Sequence, residues 1–424
     1  METLKNILAN TKRQSVYRFE TCTDYKFILN KQKNLKNMKK ITLLFTEISC
    51  RGGVELFSSY FFYSIVEVLQ RKKVNRIEVI LLNNKDLPSI EGDDNKTRII
   101  FRCLASKFRV VRLLKFTFYI VYNLLFVQPD FIISNHIHLL KPCFLFFPIL
   151  KLFAIKYGFV AYGIDVWNLN RLEKLIVRNA DIILPISNYT KTKILQQSLI
   201  KGEIILFPPT FDENFFSPAP KDPFLIDKYN LKGQKILLTV CRMEKSERYK
   251  GYDRVISVLP FVLKEVPNTK YLIVGEGSDK GRVSDLIKKL NLNDNVILCG
   301  FVESERLPSY YNLCDVFIMP STGEGFGIVF LEALACGKPV ICGNRDGSID
   351  AVLGGEIGFP IDPTCEAALK DTIVKILKNE ITDKRLDSEY LRRKVIEHYG
   401  QKKFKERTEF FVDKMIEVKK KSLA

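Results

Sequence analysis

Glu324 and Glu332 are separated by seven residues in the stretch Ser321-Thr-Gly-Glu-Gly-Phe-Gly-Ile-Val-Phe-Leu-Glu332. The first glutamate falls on a glycine-rich loop after the apolar run 316–319. The second falls about two turns along the helix that the spacing predicts next. A loop carboxylate accepts hydrogen bonds from sugar hydroxyls. Free N–H groups at a helix start hold phosphate, and a carboxylate deeper in the helix reaches a ribose diol. Together these groups describe a site for a nucleotide sugar. A second cluster fits the same ligand. Arg242 directly follows the apolar run 236–241, and Lys250 comes eight residues later, before Gly251. A guanidinium and an ammonium beside a strand end neutralise a diphosphate and the charge that develops as it leaves. Lys245 and Arg248 lie in the same stretch, so a solvated basic loop is the plain alternative.

The elements that must position these groups alternate between strand and helix, the pattern of parallel sheets covered on both faces. In the first half, strands are expected at 41–45, 77–82, 97–101, 131–134, 159–162, 182–186 and 204–207. Helices are expected at 54–71, 108–127 and 172–179. The second half restarts, with strands at 236–240, 270–274, 295–299, 316–319, 339–341 and 358–361 and helices at 253–266, 281–290, 304–313 and 327–336. Prolines 208, 209, 218, 220 and 223 interrupt any helix or central strand and mark the connection between halves. The expected organisation is a basic extension over 1–37, a first Rossmann-like domain over 38–215, a linker over 216–234, a second such domain over 235–385 and basic helices over 386–424. Residues 1–37 carry no signal-peptide core. They are expected either to precede a natural start at Met38 or to form a loose extension.

Composition narrows the classes. The 424 residues allow two domains, and 46% apolar with 27% charged content is that of a globular protein. The formal charge of +18 suits anionic small molecules, an anionic membrane surface or nucleic acid. No nucleic-acid-binding motif accompanies the charge, so no nucleic-acid partner is expected. Ten cysteines without a C-x-x-C pair read as small buried hydrophobes in a reducing compartment. Three histidines do not make a histidine-rich metal site. No uninterrupted apolar run reaches the ~18 residues of a spanning helix. The nearest runs, 116–127 and 139–153, fit buried or interfacial helices. The loop 47–53 lacks a G-x-G-x-x-G fingerprint, and Gly275-Glu-Gly277 is a partial match, which disfavours a nicotinamide dehydrogenase.

In this setting the chain resembles the family-four retaining glycosyltransferases of the GT-B fold. The resemblance rests on Gly52-Gly-Val-Glu55, Ala180-Asp-Ile-Ile-Leu-Pro-Ile-Ser-Asn-Tyr-Thr190, Arg242 with Tyr249-Lys-Gly251, Gly275-Glu-Gly277, and the segment from Glu324 to Glu332. These pieces follow the family's order across residues 38 to about 362. Tyr162-Gly-Ile-Asp-Val-Trp167 and Asn344-Arg-Asp-Gly-Ser-Ile-Asp350 resemble a bacterial subgroup that makes surface polysaccharides. The resemblance implies two Rossmann-like doubly wound domains facing a central crevice, with the donor on the second and the acceptor on the first. It implies that Arg242 and Lys250 bind the donor pyrophosphate, Glu324 the sugar hydroxyls and Glu332 the ribose. Phe326, Gly327 and Ile328 present backbone amides, Val302 with Phe301 lines the base pocket, and Gly53 with Gly52 lets the first loop approach the ligands. Where the family often has a histidine facing the sugar, this chain has Tyr162. His136 is either a neighbour of that position or a loop residue packing the wall. Asp165 is either an acceptor ligand or a turn aspartate before the helix near Asn170. Trp167 stacks on sugar or packs.

The implied function is transfer of a hexosyl unit from a UDP- or GDP-sugar to a hydroxyl of a saccharide acceptor, lipid-linked, with retention of configuration, in surface polysaccharide or glycolipid synthesis. No D-x-D triplet is present; neither a metal nor a cofactor is expected. The implied setting is cytoplasmic, peripheral on the inner membrane face. Aromatic–basic segments at 107–116 and 141–156 suit an anionic leaflet. The rival readings are a non-catalytic sugar-nucleotide or polysaccharide-binding subunit and a nucleotide-sugar epimerase.

Overall fold

The computed structural model describes residues 38–48, 52–84 and 97–421. The extension over 1–37 lies outside them. Two parallel sheets organise the chain. The first contains β1 (Lys40–Phe45), β2 (Arg76–Leu81), β3 (Arg98–Cys103), β4 (Phe131–Ser134), β5 (Lys156–Ala161), β6 (Ile182–Pro185) and β7 (Glu203–Ile204), in the order β3-β2-β1-β4-β5-β6-β7. The second contains β8 (Lys235–Val240), β9 (Thr269–Val274), β10 (Val296–Gly300), β11 (Val316–Met319), β12 (Val340–Gly343) and β13 (Phe359–Ile361), in the order β10-β9-β8-β11-β12-β13. Both are doubly wound Rossmann-like sheets, and the architecture is of the GT-B class. By contacts the described residues form two compact units. One takes in 58–159 and 408–421 with β1, and the other 52–57 and 160–407.

Strand sequences such as Val-Phe-Ile-Met in β11 and Ile-Ile-Leu-Pro in β6 are buried throughout, as strands covered on both faces require. The helix Gly53–Arg71 buries one face. Phe61, Phe62, Ile65, Val68 and Leu69 are fully buried, while Leu56, Tyr60 and Ser64 are half-buried. Two strands differ from expectation. β5 begins at Lys156 rather than Phe159, and β7 covers only Glu203–Ile204, although the Ile205 and Phe207 amides still donate to the Ile183 and Pro185 carbonyls. The helix Asn188–Gln197 was not expected, because its sequence is mostly polar. Its start signal is nevertheless present: the Ser187 side chain accepts from the Thr190 amide.

The helix predicted over 108–127 consists of Arg109–Tyr122 and a π-helical turn, Asn123–Val127, closed by Gln128 in the left-handed region. By length and composition alone it is long and apolar enough to cross a membrane. Counting uninterrupted apolar runs missed this because Arg112 and Lys115 break the run.

Candidate functional site

The strand order of the second sheet reverses between β8 and β11, which lie side by side with Leu238 opposite Phe317. Ligands of open α/β sheets bind beyond the carboxyl ends of the strands at such a reversal. The loop after β8 carries Arg242 and Lys250, and the loop after β11 carries Glu324. The Thr322 amide donates to the Tyr249 carbonyl at 2.8 Å and ties the loops together.

Lys250 Nζ donates to Glu324 Oε1 at 2.9 Å and lies 3.5 Å from Glu247 Oε2. Glu247 in turn accepts from Arg242 Nη2. The result is an alternating chain, Arg242–Glu247–Lys250–Glu324. Lys250, Glu247 and Glu324 are largely buried, while the Arg242 side chain is 68% exposed. Burial opposes the charge on Lys250, but the negative groups around it, Glu324 foremost, together outweigh that penalty and raise the pKa above the ordinary lysine value. The ammonium therefore stays charged. Burial pushes the neighbouring Cys241 thiol up to about 12, so it is not a thiolate nucleophile.

Three further acidic anchors were not found by sequence reasoning. Asp279 fixes the Lys250 loop: it accepts from Arg248 Nε at 3.0 Å, from the Tyr252 hydroxyl at 2.8 Å and from Arg282. Burial works to raise its pKa, but these hydrogen bonds, Arg282 first, carry it down to about 2. Asp346 is fully buried and fixes the Glu324 loop. Its Oδ2 accepts from Ser321 Oγ at 2.7 Å and from the Glu324 amide at 2.8 Å, and its Oδ1 from the Ser348 amide at 3.0 Å. Glu247 is the third, and in the sequence it is one charge among several in Glu244-Lys-Ser-Glu-Arg-Tyr-Lys250.

Glu332 lies on the helix Ile328–Ala335 and is 6% exposed. Burial raises its pKa to about 7, although the Tyr311 hydroxyl, which donates to Oε2 at 2.6 Å, works the other way. Gly327 precedes this helix in the left-handed region, Ile328 begins it, and the Phe326 ring is buried edge-on against Tyr399 at 5.3 Å. Val302 follows β10, two strands from β8.

The loop after β5 reaches the Glu324 loop. A Cβ on Gly325 would lie 1.8 Å from the Tyr162 carbonyl oxygen, and one on Gly163 would lie 2.9 Å from Gly325 Cα. Gly163 also has φ +141°, so both positions need glycine. The Tyr162 ring is buried edge-on against Phe57, which lies one turn along the helix that begins at Gly53. Asp165 Oδ1 accepts from the Gly163 amide at 2.7 Å, whereas the helix near Asn170 is capped by Asn170 itself. The Trp167 indole donates to Thr190 Oγ1 at 3.2 Å and its ring meets Tyr189 edge-on. Asn188 and the Tyr189 amide donate to Asp350. The motif pieces around Tyr162, Thr190 and Asp350 thus converge with Glu324. His136 belongs to the other unit, where it caps the turn Ile137–Leu140 and its Nδ1 accepts from the His138 amide at 3.3 Å. Among the described residues no group of three His, Cys, Asp or Glu side chains is placed to hold a metal ion.

Residues 222–393, which contain these loops, match the family model described as "Glycosyl transferases group 1". The match spans about two fifths of the chain. The chain spans about half the length of the curated relatives it matches. A GDP-mannose-dependent alpha-(1-6)-phosphatidylinositol monomannoside mannosyltransferase of Mycolicibacterium smegmatis is 29% identical over 48% of this chain and 54% of its own length. The capsular polysaccharide biosynthesis glycosyltransferase CapM of Staphylococcus aureus is 30% identical over 51% and 58%. Among solved structures, Anabaena HepE in complex with UDP superposes with a TM-score of 0.67 at 17% identity, covering 88% of this chain and 99% of that one. A glycosyltransferase from Rickettsia africae gives 0.67 at 20% identity, covering 90% and 98%. These structural likenesses show the fold, two Rossmann-like parallel sheets of the GT-B class.

Proposed function

We propose that the chain transfers a hexosyl unit from a UDP- or GDP-sugar to a hydroxyl of a lipid-linked saccharide, in surface polysaccharide or glycolipid synthesis. The observation that carries this is the meeting of Arg242, Lys250 and Glu324 at the strand-order reversal. Arg242 and Lys250 take the diphosphate as counter-ions and stabilise it as it leaves. Glu324 accepts from sugar hydroxyls, the amides of Phe326, Gly327 and Ile328 face sugar and phosphate, and Glu332 holds the ribose. Tyr162 and Asp165 lie beside the sugar, and Val302 borders the base. Support comes from relatives whose names specify GDP-mannose or capsular polysaccharide and from a structural neighbour solved with UDP.

The configuration is retained: the acceptor hydroxyl attacks the anomeric carbon on the face the diphosphate leaves. The C–O bond to phosphate breaks as the new C–O bond forms, and the departing phosphate oxygen takes the acceptor's proton. No carboxylate acts as nucleophile, and the two cations do the work of a metal. The reaction takes place on the cytoplasmic side, at an anionic inner membrane face. Thermal-shift screening with UDP-, GDP- and ADP-sugars, followed by transfer assays and NMR of the product anomer, tests this. Stabilisation by a donor without turnover on any saccharide acceptor would favour a binding subunit instead.

A further inference from the structure

The surface of the first unit carries a feature that the transfer chemistry does not use. The helix Arg109–Tyr122 and its π-helical turn bury Phe116, Ile120, Leu124 and Val127. Asn123 is fixed there, accepting from Thr42 Oγ1 of β1 at 3.0 Å and donating to the Tyr119 carbonyl at 2.9 Å. One side of the helix is therefore locked onto the sheet. The other side is apolar and open to solvent: Phe108, Leu114, Phe118 and Phe126 are 72%, 66%, 63% and 72% exposed. Leu152, at the end of the neighbouring short helix, is exposed as well. Single exposed hydrophobes are ordinary, but a contiguous set of large ones marks an interaction surface.

The charges select the partner. Residues 104–129 contain Lys107, Arg109, Arg112 and Lys115 and no Asp or Glu. Lys151 lies beside Leu152 on the adjoining helix. A second copy of this chain would set these cations against each other, at a cost. An anionic bilayer takes both features, its headgroups pairing with the cations and its acyl region receiving the rings. A groove of about 400 Å³ lined by Leu104, Leu114, Phe118 and Tyr119 opens on the same face.

We infer that the helix 109–127 docks in the plane of an anionic membrane, through Phe108, Leu114, Phe118 and Phe126 and the cations between them, without crossing the bilayer. The inference rests on the membrane-side placement proposed above. Its test is co-sedimentation of the full chain with vesicles of phosphatidylcholine alone and with phosphatidylglycerol added. Binding to the anionic vesicles only, weakened by salt and released by carbonate, is expected. Phe118→Ser should weaken partitioning about tenfold or more, and Arg109→Ser about fivefold. Donor binding by thermal shift should stay unchanged in both. Equal partitioning of wild type and Phe118→Ser, resistance to carbonate, or a dimer in light scattering that Phe118→Ser dissociates would each overturn the assignment. Loss of vesicle binding with donor binding intact separates this surface from the transfer function.

Discussion

Lys250 Nζ and Glu324 Oε1 lie 2.9 Å apart, although 74 positions separate them in the sequence. Each holds the other in place, and each faces a different part of the proposed donor. Lys250→Met should lower kcat/KM about 10²–10³-fold and also leave Glu324 beside Glu247 without a cation between them. Lys250→Arg keeps the charge but not the shape and should recover little of that loss. Steady-state kinetics of the pair of variants checks this.

Arg242→Ala should cause a loss of similar size in transfer with an unchanged melting temperature, because the side chain is mostly exposed. Near-normal turnover by the purified variant would remove the phosphate role.

Glu247 pairs with both cations. Glu247→Gln should therefore lower the donor KM by roughly two- to fivefold, the scale of a partly exposed ion pair. It should also steepen the salt dependence of donor binding. A raised KM would mean that Glu247 orients the cations rather than competing for them.

Glu332 has a pH signature. Its pKa of about 7 lies above the ordinary glutamate value, so the folded state holds the proton that the unfolded chain releases. The associated stability is complete below about pH 4.5 and is lost as pH rises to 7, up to about 3 kcal/mol. Glu332→Gln should flatten this decline. Urea unfolding of both proteins at the two ends of the window measures it.

Asp346→Asn presents an amide to the Ser321 and Glu324 donors in place of an acceptor. A stability loss of about 1–3 kcal/mol is expected. Binding of the sugar donor should weaken more than binding of the bare nucleotide diphosphate, because Asp346 holds the Glu324 loop. Calorimetry with both ligands tells positioning of that loop from general destabilisation, which would weaken both alike.

The sheets were legible because each strand is a short apolar run bounded by turn residues, and β11 followed by a glycine-rich loop and an apolar helix is an unambiguous local pattern. The partners inside the site were not legible. Asp279 meets Arg248 from 31 residues away and Asp346 meets Glu324 from 22 away, distances over which no periodicity operates. Tyr311 lies in the helix expected over 304–313, and only the fold makes it the buried partner of Glu332. The helix Asn188–Gln197 was missed because a polar surface carries little helical period, although its serine cap was readable.

Gly163 and Gly325 meet backbone to backbone. Side chains elsewhere in the site can change rotamer to suit a new ligand, but two peptide planes in contact have no such freedom. The spacing between these loops acts as a fixed gauge, and substitution at either glycine would pry it open rather than retune it. On the proposed reading, altered donor preference is therefore to be sought by replacing Tyr162 and Ile186, whose Cδ1 would lie 3.4 Å from a Cβ on Gly325, while the gauge itself is left as it is.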